Sequence, residues 1–193
     1  MILKPNAPFT WSSGWKSPIY CDNRLILSYP SLRTNVKQHL VNLVENDDQQ
    51  VDAIVGVATA GIPHATLLAD ELNMPLAYVR SSAKKHGTEN KIEGHLETGQ
   101  NVVVIEDLIS TGGSSLKAIE TIREKGCKVH KLAAIFTYGF DVAAQSFNEQ
   151  DVPVQTLTDY NILLDVAIAE GYVSEAQLDT LQQWRADPAN WGD

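Results

Sequence analysis

Short apolar runs alternate with amphipathic stretches along most of this chain. Val51–Val57, Leu76–Val79, Val102–Ile105 and Val129–Tyr138 are rich in branched and small apolar residues, the composition of strands buried on both faces of a sheet. Helical patterns lie between them. From Pro30 to Asn46, Leu32, Val36, Leu40, Leu43 and Val44 recur at helical spacing, and a helix opening at Tyr29-Pro30-Ser31 follows. A loop at Ala58–Pro63 leads into a helix ending near Leu72, with Pro63 in the first turn, where its missing N–H costs nothing. Leu116–Lys125 is helical, and Gly126 is placed to cap it. A short helix at Val142–Asn148, an extended stretch at Val154–Leu157 and helices at Tyr160–Glu170 and Ser174–Arg185 complete the pattern. Ser174 and Gln177 have capping-box spacing, and Trp184 and Trp191 are expected to cover the core edge. Strand and helix alternating over residues 51–138 predict an α/β fold, a doubly wound parallel sheet whose ligands bind beyond the carboxyl ends of its strands.

One interval breaks the alternation. After Arg80 the chain stays polar, with no apolar period until Leu96. A coreless connection of about 15 residues is unusual and points to a functional lid.

Composition narrows the setting. A length of 193 residues suits one domain spanning residues 1–193. The formal net charge of −9 argues against general binding to nucleic acid or anionic membrane, which both require basic surface. A polyanionic ligand must then meet a local cluster of cations, and the dense one is Arg80, Lys84, Lys85 and His86, inside the polar interval. A solvated charge run is the plain alternative. Cys21 and Cys127 are too few and too far apart for a disulfide framework or a zinc site. The sequence has no charged leader before an apolar core and no apolar run near the roughly 20 residues that span a bilayer, so the expected location is cytoplasmic.

The densest chemistry follows the run at Val102–Ile105. That strand is expected to end in two acids, Glu106 and Asp107, ahead of small residues at Ser110–Ser115. Gly112 and Gly113 permit positive φ and close backbone approach, and unpaired N–H groups at the following helix start favour an anion. Acids repel phosphate but suit sugar hydroxyls or a metal ion, so the expected ligand carries both sugar and phosphate. A Walker-type loop is disfavoured, because no lysine precedes Lys117. An ordinary strand, turn and helix with exposed acids is the competing reading.

The run from Val102 to Ser115 resembles the phosphoribosyl-pyrophosphate (PRPP) signature of type I phosphoribosyltransferases. Phe9–Arg24, Gly56–Ala65 and Tyr78–Gly94 are together similar to orotate phosphoribosyltransferases, in the right order over nearly the whole chain. The resemblance implies transfer of the phosphoribosyl group from PRPP to orotate, giving orotidine 5′-monophosphate and pyrophosphate, with Mg²⁺ bound mainly through PRPP. It implies that Lys84 and Asp107 are catalytic and that Arg80, Lys84 and His86 meet the diphosphate. Glu106 and Asp107 would hold the ribose, Ser110, Thr111, Gly112, Gly113 and Ser114 the phosphate, and Ser110 also the orotate, with Leu108 and Ile109 part of the same PRPP-binding stretch. The loop at Ala58–Pro63 would touch the diphosphate through its backbone. Residues 1–30 and the C-terminal segments would supply a hood over the base and the core edge, and a homodimer would share its mobile loop across the interface, with neither nucleic acid nor membrane as partner.

The chain also departs from the family's pattern. Relatives usually begin with an amphipathic helix that this sequence lacks, and some have lysines where Ser12, Ala60 and Ser81 stand, leaving Lys16 as the candidate substitute. Some hold the orotate carboxylate with an arginine where this chain has Tyr138-Gly139-Phe140. Two alternatives stay open: a phosphoribosyltransferase for another nucleobase, and a non-enzymatic PRPP-responsive regulator on the same fold.

Overall fold

Among the described residues four two-residue strands come first, each too short to persist without a partner. β1 (Ile2–Leu3) pairs antiparallel with β4 (Ile19–Tyr20), and β2 (Phe9–Thr10) with β3 (Lys16–Ser17). The computed structural model describes residues 2–3, 8–11, 14–46, 49–82 and 91–191. Residues 1–23 and 158–193 form one compact unit, and residues 24–157 another.

In the larger unit a 3₁₀ turn at Asn23–Ser28 leads to α1 (Pro30–Glu45), with Pro30 at its start. Leu40, Val41 and Val44 are buried with Val36 and Leu43 packed beside them, but the first turn buries nothing and Leu32, expected in the apolar stripe, is exposed. The sheet is then laid down by β5 (Ala53–Val57), α2 (Gly61–Glu71), β6 (Leu76–Val79), β7 (Ile92–Gly94), β8 (Asn101–Ile109), α3 (Gly113–Glu124), β9 (Lys128–Thr137), α4 (Asp141–Glu149) and β10 (Val154–Asp159). Six strands stand in the order β10-β9-β8-β5-β6-β7. β6, β5, β8 and β9 are mutually parallel, as the alternation predicts, whereas β7 runs antiparallel to β6. That strand shortens the expected lid: Ile92, Glu93 and Gly94 pair with Val79, Tyr78 and Ala77, and the coreless interval ends before them.

Two apolar layers enclose the sheet. One joins Val55, Val102 and Val104 to Leu116, Ile119 and Ile122 of α3, and the other joins Ile54, Val103 and Ile105 to α1 and to Ala65 and Leu68 of α2. The central strand also runs further than expected. It continues through Glu106 and Asp107 to Ile109, because β9 offers Ala134, Phe136 and Thr137 as partners beyond Ile105.

In the smaller unit α5 (Tyr160–Ala169) is capped by Asp159, whose carboxylate accepts from the N–H groups of Asn161 (2.8 Å) and Ile162 (3.1 Å). α6 (Glu175–Ala186) starts with the predicted capping box, in which the Ser174 N–H donates to Gln177 Oε1 at 3.0 Å. Trp184 does not cover an edge. It is 0% exposed, edge-on to Trp11, and its indole N–H donates to the Lys16 carbonyl at 2.9 Å, so it anchors the N-terminal hairpin of this unit. Trp191 is only partly buried.

Candidate active site

The site is built where β8 leaves the apolar layers. Alternation along the strand sends Val103 and Ile105 toward α2 and Val102 and Val104 toward α3. Glu106 stays on the α3 side, where it meets Ser115, and Asp107 is the acid that interacts with His64 of α2, whereas the alternation does not carry on to Ile109, which joins the α3 layer. Glu106 is 5% exposed. Its Oε2 accepts from the Ser115 hydroxyl at 3.1 Å, and its Oε1 from the Asp107 N–H at 3.1 Å. Burial pushes the Glu106 carboxyl up to about 8, and the Asp107 charge adds to the rise. Burial raises Asp107 too, opposed by its hydrogen bond to Glu106 and by nearby His64. Two acids this close and this dry do not both ionise at neutral pH. Glu106, the deeper one, holds the proton, and the pair carries one negative charge.

This arrangement makes stability depend on pH. A glutamate in the unfolded chain loses its proton near 4.5, whereas folded Glu106 keeps it to about 8. Between those values the folded state binds more protons, so the stability associated with Glu106 is full below the lower value and falls as pH rises toward the upper one. Glu106→Gln keeps the shape and the hydrogen bonds without the charge. Its melting temperature should match the parent near pH 4.5 and exceed it by roughly 5 to 10 °C above pH 8, for a gain on the order of a few kcal/mol. Parallel melting curves at both pH values, with no added gap at high pH, would show that Glu106 ionises like an exposed acid.

Past Ile109 the chain turns through Ser110, Thr111 and Gly112 into α3. Gly112 sits at φ +80°, and a Cβ there would lie 2.8 Å from the Phe147 ring, so conformation and space both call for glycine. Gly113 has no positive φ and is the first helical residue, so the helix begins three residues earlier than the pattern at Leu116 indicates. No side chain caps α3. The N–H groups of its first turn therefore face outward for an anion, next to the paired acids.

A second helix start converges on the same place. The Ala58 N–H donates to the Val79 carbonyl at 2.9 Å, the Ala58–Thr59 peptide is cis, and α2 also begins without a side-chain cap. A Cβ on Gly61 would lie 2.4 Å from the Ile105 carbonyl oxygen, so α2 rests directly on β8 just below the acids. On this face His64 is 2% exposed. Burial holds its imidazole below the usual value, with the Asp107 charge pulling the other way.

At the end of β6 the Arg80 guanidinium pairs with Glu93 at 3.3 Å. It borders a cleft of about 440 Å³, whose walls include Ala58, Ser81, Lys91, Ser114 and Lys117.

A phosphoribosyl transferase domain model matches residues 25–170. An orotate phosphoribosyltransferase of Bacteroides fragilis is 59% identical over 189 residues, covering 98% of this chain and 89% of its own length. That of Bacillus caldolyticus is 54% identical over 192 residues, covering 100% of this chain and 93% of its own. The crystal structure of orotate phosphoribosyltransferase from Aeropyrum pernix aligns with a TM-score of 0.73 at 32% identity, over 86% of this chain and 92% of that one. This chain belongs to the orotate phosphoribosyltransferase family.

Among the residues that the resemblance to orotate phosphoribosyltransferases marks, Glu106, Asp107 and Ser110–Ser114 are contiguous at the end of β8 and the start of α3. The Ile109 side chain is buried in the core, and the Ile109 carbonyl accepts from the Tyr138 N–H at 3.0 Å. Arg80 lines the cleft and is paired with Glu93. Lys84, Lys85 and His86 lie outside the described residues, as does Ser12. Tyr138 and Phe140, where some orotate phosphoribosyltransferases have an arginine, are buried and stacked at 5.5 Å and 7°. Their side chains fill the interior and offer no cation. Sequence reasoning missed Ser115 as a partner of Glu106, Lys91 and Lys117 on the cleft wall, and His64. The one trace of His64 is a lone imidazole within an otherwise apolar helix face.

Proposed function

We propose that this protein transfers the phosphoribosyl group from PRPP to orotate, giving orotidine 5′-monophosphate and pyrophosphate, in pyrimidine nucleotide synthesis. The supporting observation is the junction of β8 and α3, where a buried acid pair meets an uncapped helix start across the left-handed turn at Gly112. Acids for sugar hydroxyls and N–H groups for a phosphate are adjacent there, and few ligands other than a phosphoribosyl group need both.

The reaction breaks the anomeric C–O bond, whose electron pair leaves with the diphosphate, and forms a bond from the orotate ring nitrogen to the same carbon; the ring N–H proton passes to solvent. Between these events the ribosyl carbon is electron-poor. In this reading Asp107 stabilises that centre by its charge, and Glu106 holds Asp107 in place and keeps the local charge near one. The N–H groups of Ser110–Ser114 fix the 5′-phosphate so that the sugar moves little. Arg80, Lys84 and His86 meet the charge growing on the diphosphate. Magnesium arrives with PRPP as the counter-ion of its diphosphate. Among the described residues no group of three His, Cys, Asp or Glu could hold a metal ion.

The same reading takes residues 1–193 as one functional domain that works as a homodimer in the cytoplasm. Among the described residues no helix is long and apolar enough to cross a membrane.

Purified protein with PRPP and Mg²⁺ should consume orotate, followed as loss of its absorbance, and leave adenine, hypoxanthine and uracil unchanged. Consumption of a purine with orotate untouched would overturn the base assignment. PRPP binding without turnover of any base would favour the regulator.

A further inference from the structure

His64 is the unexplained group of this site. It lies on the α2 face formed by Gly61, His64, Ala65, Leu68 and Ala69, all buried. The place where that face meets β8 is fixed by Gly61, whose added Cβ would stand 2.4 Å from the Ile105 carbonyl and 3.3 Å from the Glu106 Cα. Helical side chains lean toward the N-terminus and cover the turn before their own Cα. The imidazole therefore points back to the level of Gly61, where the next residue of β8 on the α2 side is Asp107. Several groups act on Asp107: Glu106 and the Leu108 backbone from its own strand and His64 from α2, while α3 brings Ser115 to Glu106. From the neighbouring strands, β5 sets Gly56 beside Ile105, and β9 sets Ala134 beside Glu106 and Phe136 beside Leu108.

Buried polar atoms in folded proteins nearly always have a partner, because one left without loses its bonds to water and gains none in return. Among the described residues His64 Nε2 has none. A structural histidine would have been satisfied by the fold itself. An unsatisfied one facing the acid that meets the sugar is expected of a group that completes its bonding when the ligand arrives.

We propose that His64 is a positioning residue for Asp107: with the phosphoribosyl group bound, its Nε2–H donates to the Asp107 carboxylate and fixes the oxygen that faces the ribose. The inference rests on the reading of Asp107 as the ribose-facing acid. It requires a neutral imidazole with its proton on Nε2, and no proton is transferred.

His64→Leu keeps bulk and removes the donor, whereas His64→Gln places an amide N–H near the position of Nε2. The leucine variant should lose about ten- to a hundred-fold in kcat with KM for PRPP changed less than about threefold, and the glutamine variant should recover most of the loss. In an Asp107→Ala background the leucine substitution should cost less than about twofold, because its partner is already gone. Independently of turnover, the His64 Nε2 resonance in a ¹⁵N-histidine spectrum should shift when PRPP and Mg²⁺ are added to the parent protein, and stay fixed in Asp107→Ala. Full activity of a folded His64→Leu protein, an equal penalty with and without Asp107, or a resonance unmoved at saturating PRPP would each overturn the inference. A parent protein that ignores orotate yet shows the shift would refute the base assignment and leave the role of His64 standing.

Discussion

A Lys84→Ala chain and an Asp107→Asn chain, each almost inactive alone, should regain activity when mixed. Asp107→Asn preserves shape and removes the charge that the proposed function sets beside the ribosyl carbon, where it would matter most once that carbon becomes electron-poor. The loss should fall on kcat by ten- to a thousand-fold, about 1.4 to 4 kcal/mol of transition-state stabilisation, with weaker effect on PRPP binding. Lys84 belongs to the basic cluster that this reading assigns to the leaving diphosphate. If Lys84 of one subunit serves the site of the other, a mixed dimer holds one site with its own Asp107 and its neighbour's Lys84 intact. Such a dimer should show about half the parent activity, from two sites related by a two-fold axis. Subunit exchange is verified first with differently tagged chains. Exchange with no recovery would mean that Lys84 serves its own subunit. Unchanged turnover in Asp107→Asn would place Asp107 outside the site.

The sheet was readable because its strands are buried on both faces and separated by helices with clear periods. The same burial hid where the central strand stops. A strand without alternation carries no mark of its end, and the acids looked like the exit, although pairing with Ala134, Phe136 and Thr137 carries the ladder past them to Ile109. β7 was missed for another reason. Its three residues are too few for a period, and Gly94 at φ +92° reads as a loop residue although it pairs with Ala77. The site divides in the same way. Glu106, Asp107 and the turn at Gly112 are contiguous in sequence, so their chemistry could be read directly. The acids look equivalent there, and only packing separates them, since Ser115 and the apolar layer under α3 enclose Glu106 and leave Asp107 as the partly open one. His64 and Asp107 are 43 positions apart and meet only because α2 crosses β8, a contact that no spacing encodes.

Gly61→Ala should be among the most damaging single-methyl changes in this protein. Gly61 begins α2 with its Cα against the central strand, and the added Cβ would meet the Ile105 carbonyl oxygen at 2.4 Å, far inside contact distance. The obstacle is backbone in the middle of a sheet paired on both sides, with Ile105 opposite Ala133 on β9 and Gly56 on β5. It cannot step aside as a side-chain tip would, so α2 must lift. Lifting opens the layer formed by Ala65, Leu68, Val103 and Ile105 and draws His64 and the Ala58–Ala60 turn away from the acids. Overpacking of a close-packed layer costs about 1 to 3 kcal/mol, and a clash with fixed backbone should reach the upper end or beyond, lowering the melting temperature by roughly 6 to 12 °C. Gly113→Ala is the control, because its Cβ would find nothing nearer than Thr111 Oγ1 at 4.0 Å and alanine favours the helix start. It should leave the melting temperature unchanged or slightly raised. Calorimetry of the two variants beside the parent decides the matter: equal melting temperatures for Gly61→Ala and Gly113→Ala would mean that α2 does not bear on β8 at this point, and the placement of His64 beside Asp107 would fall with it.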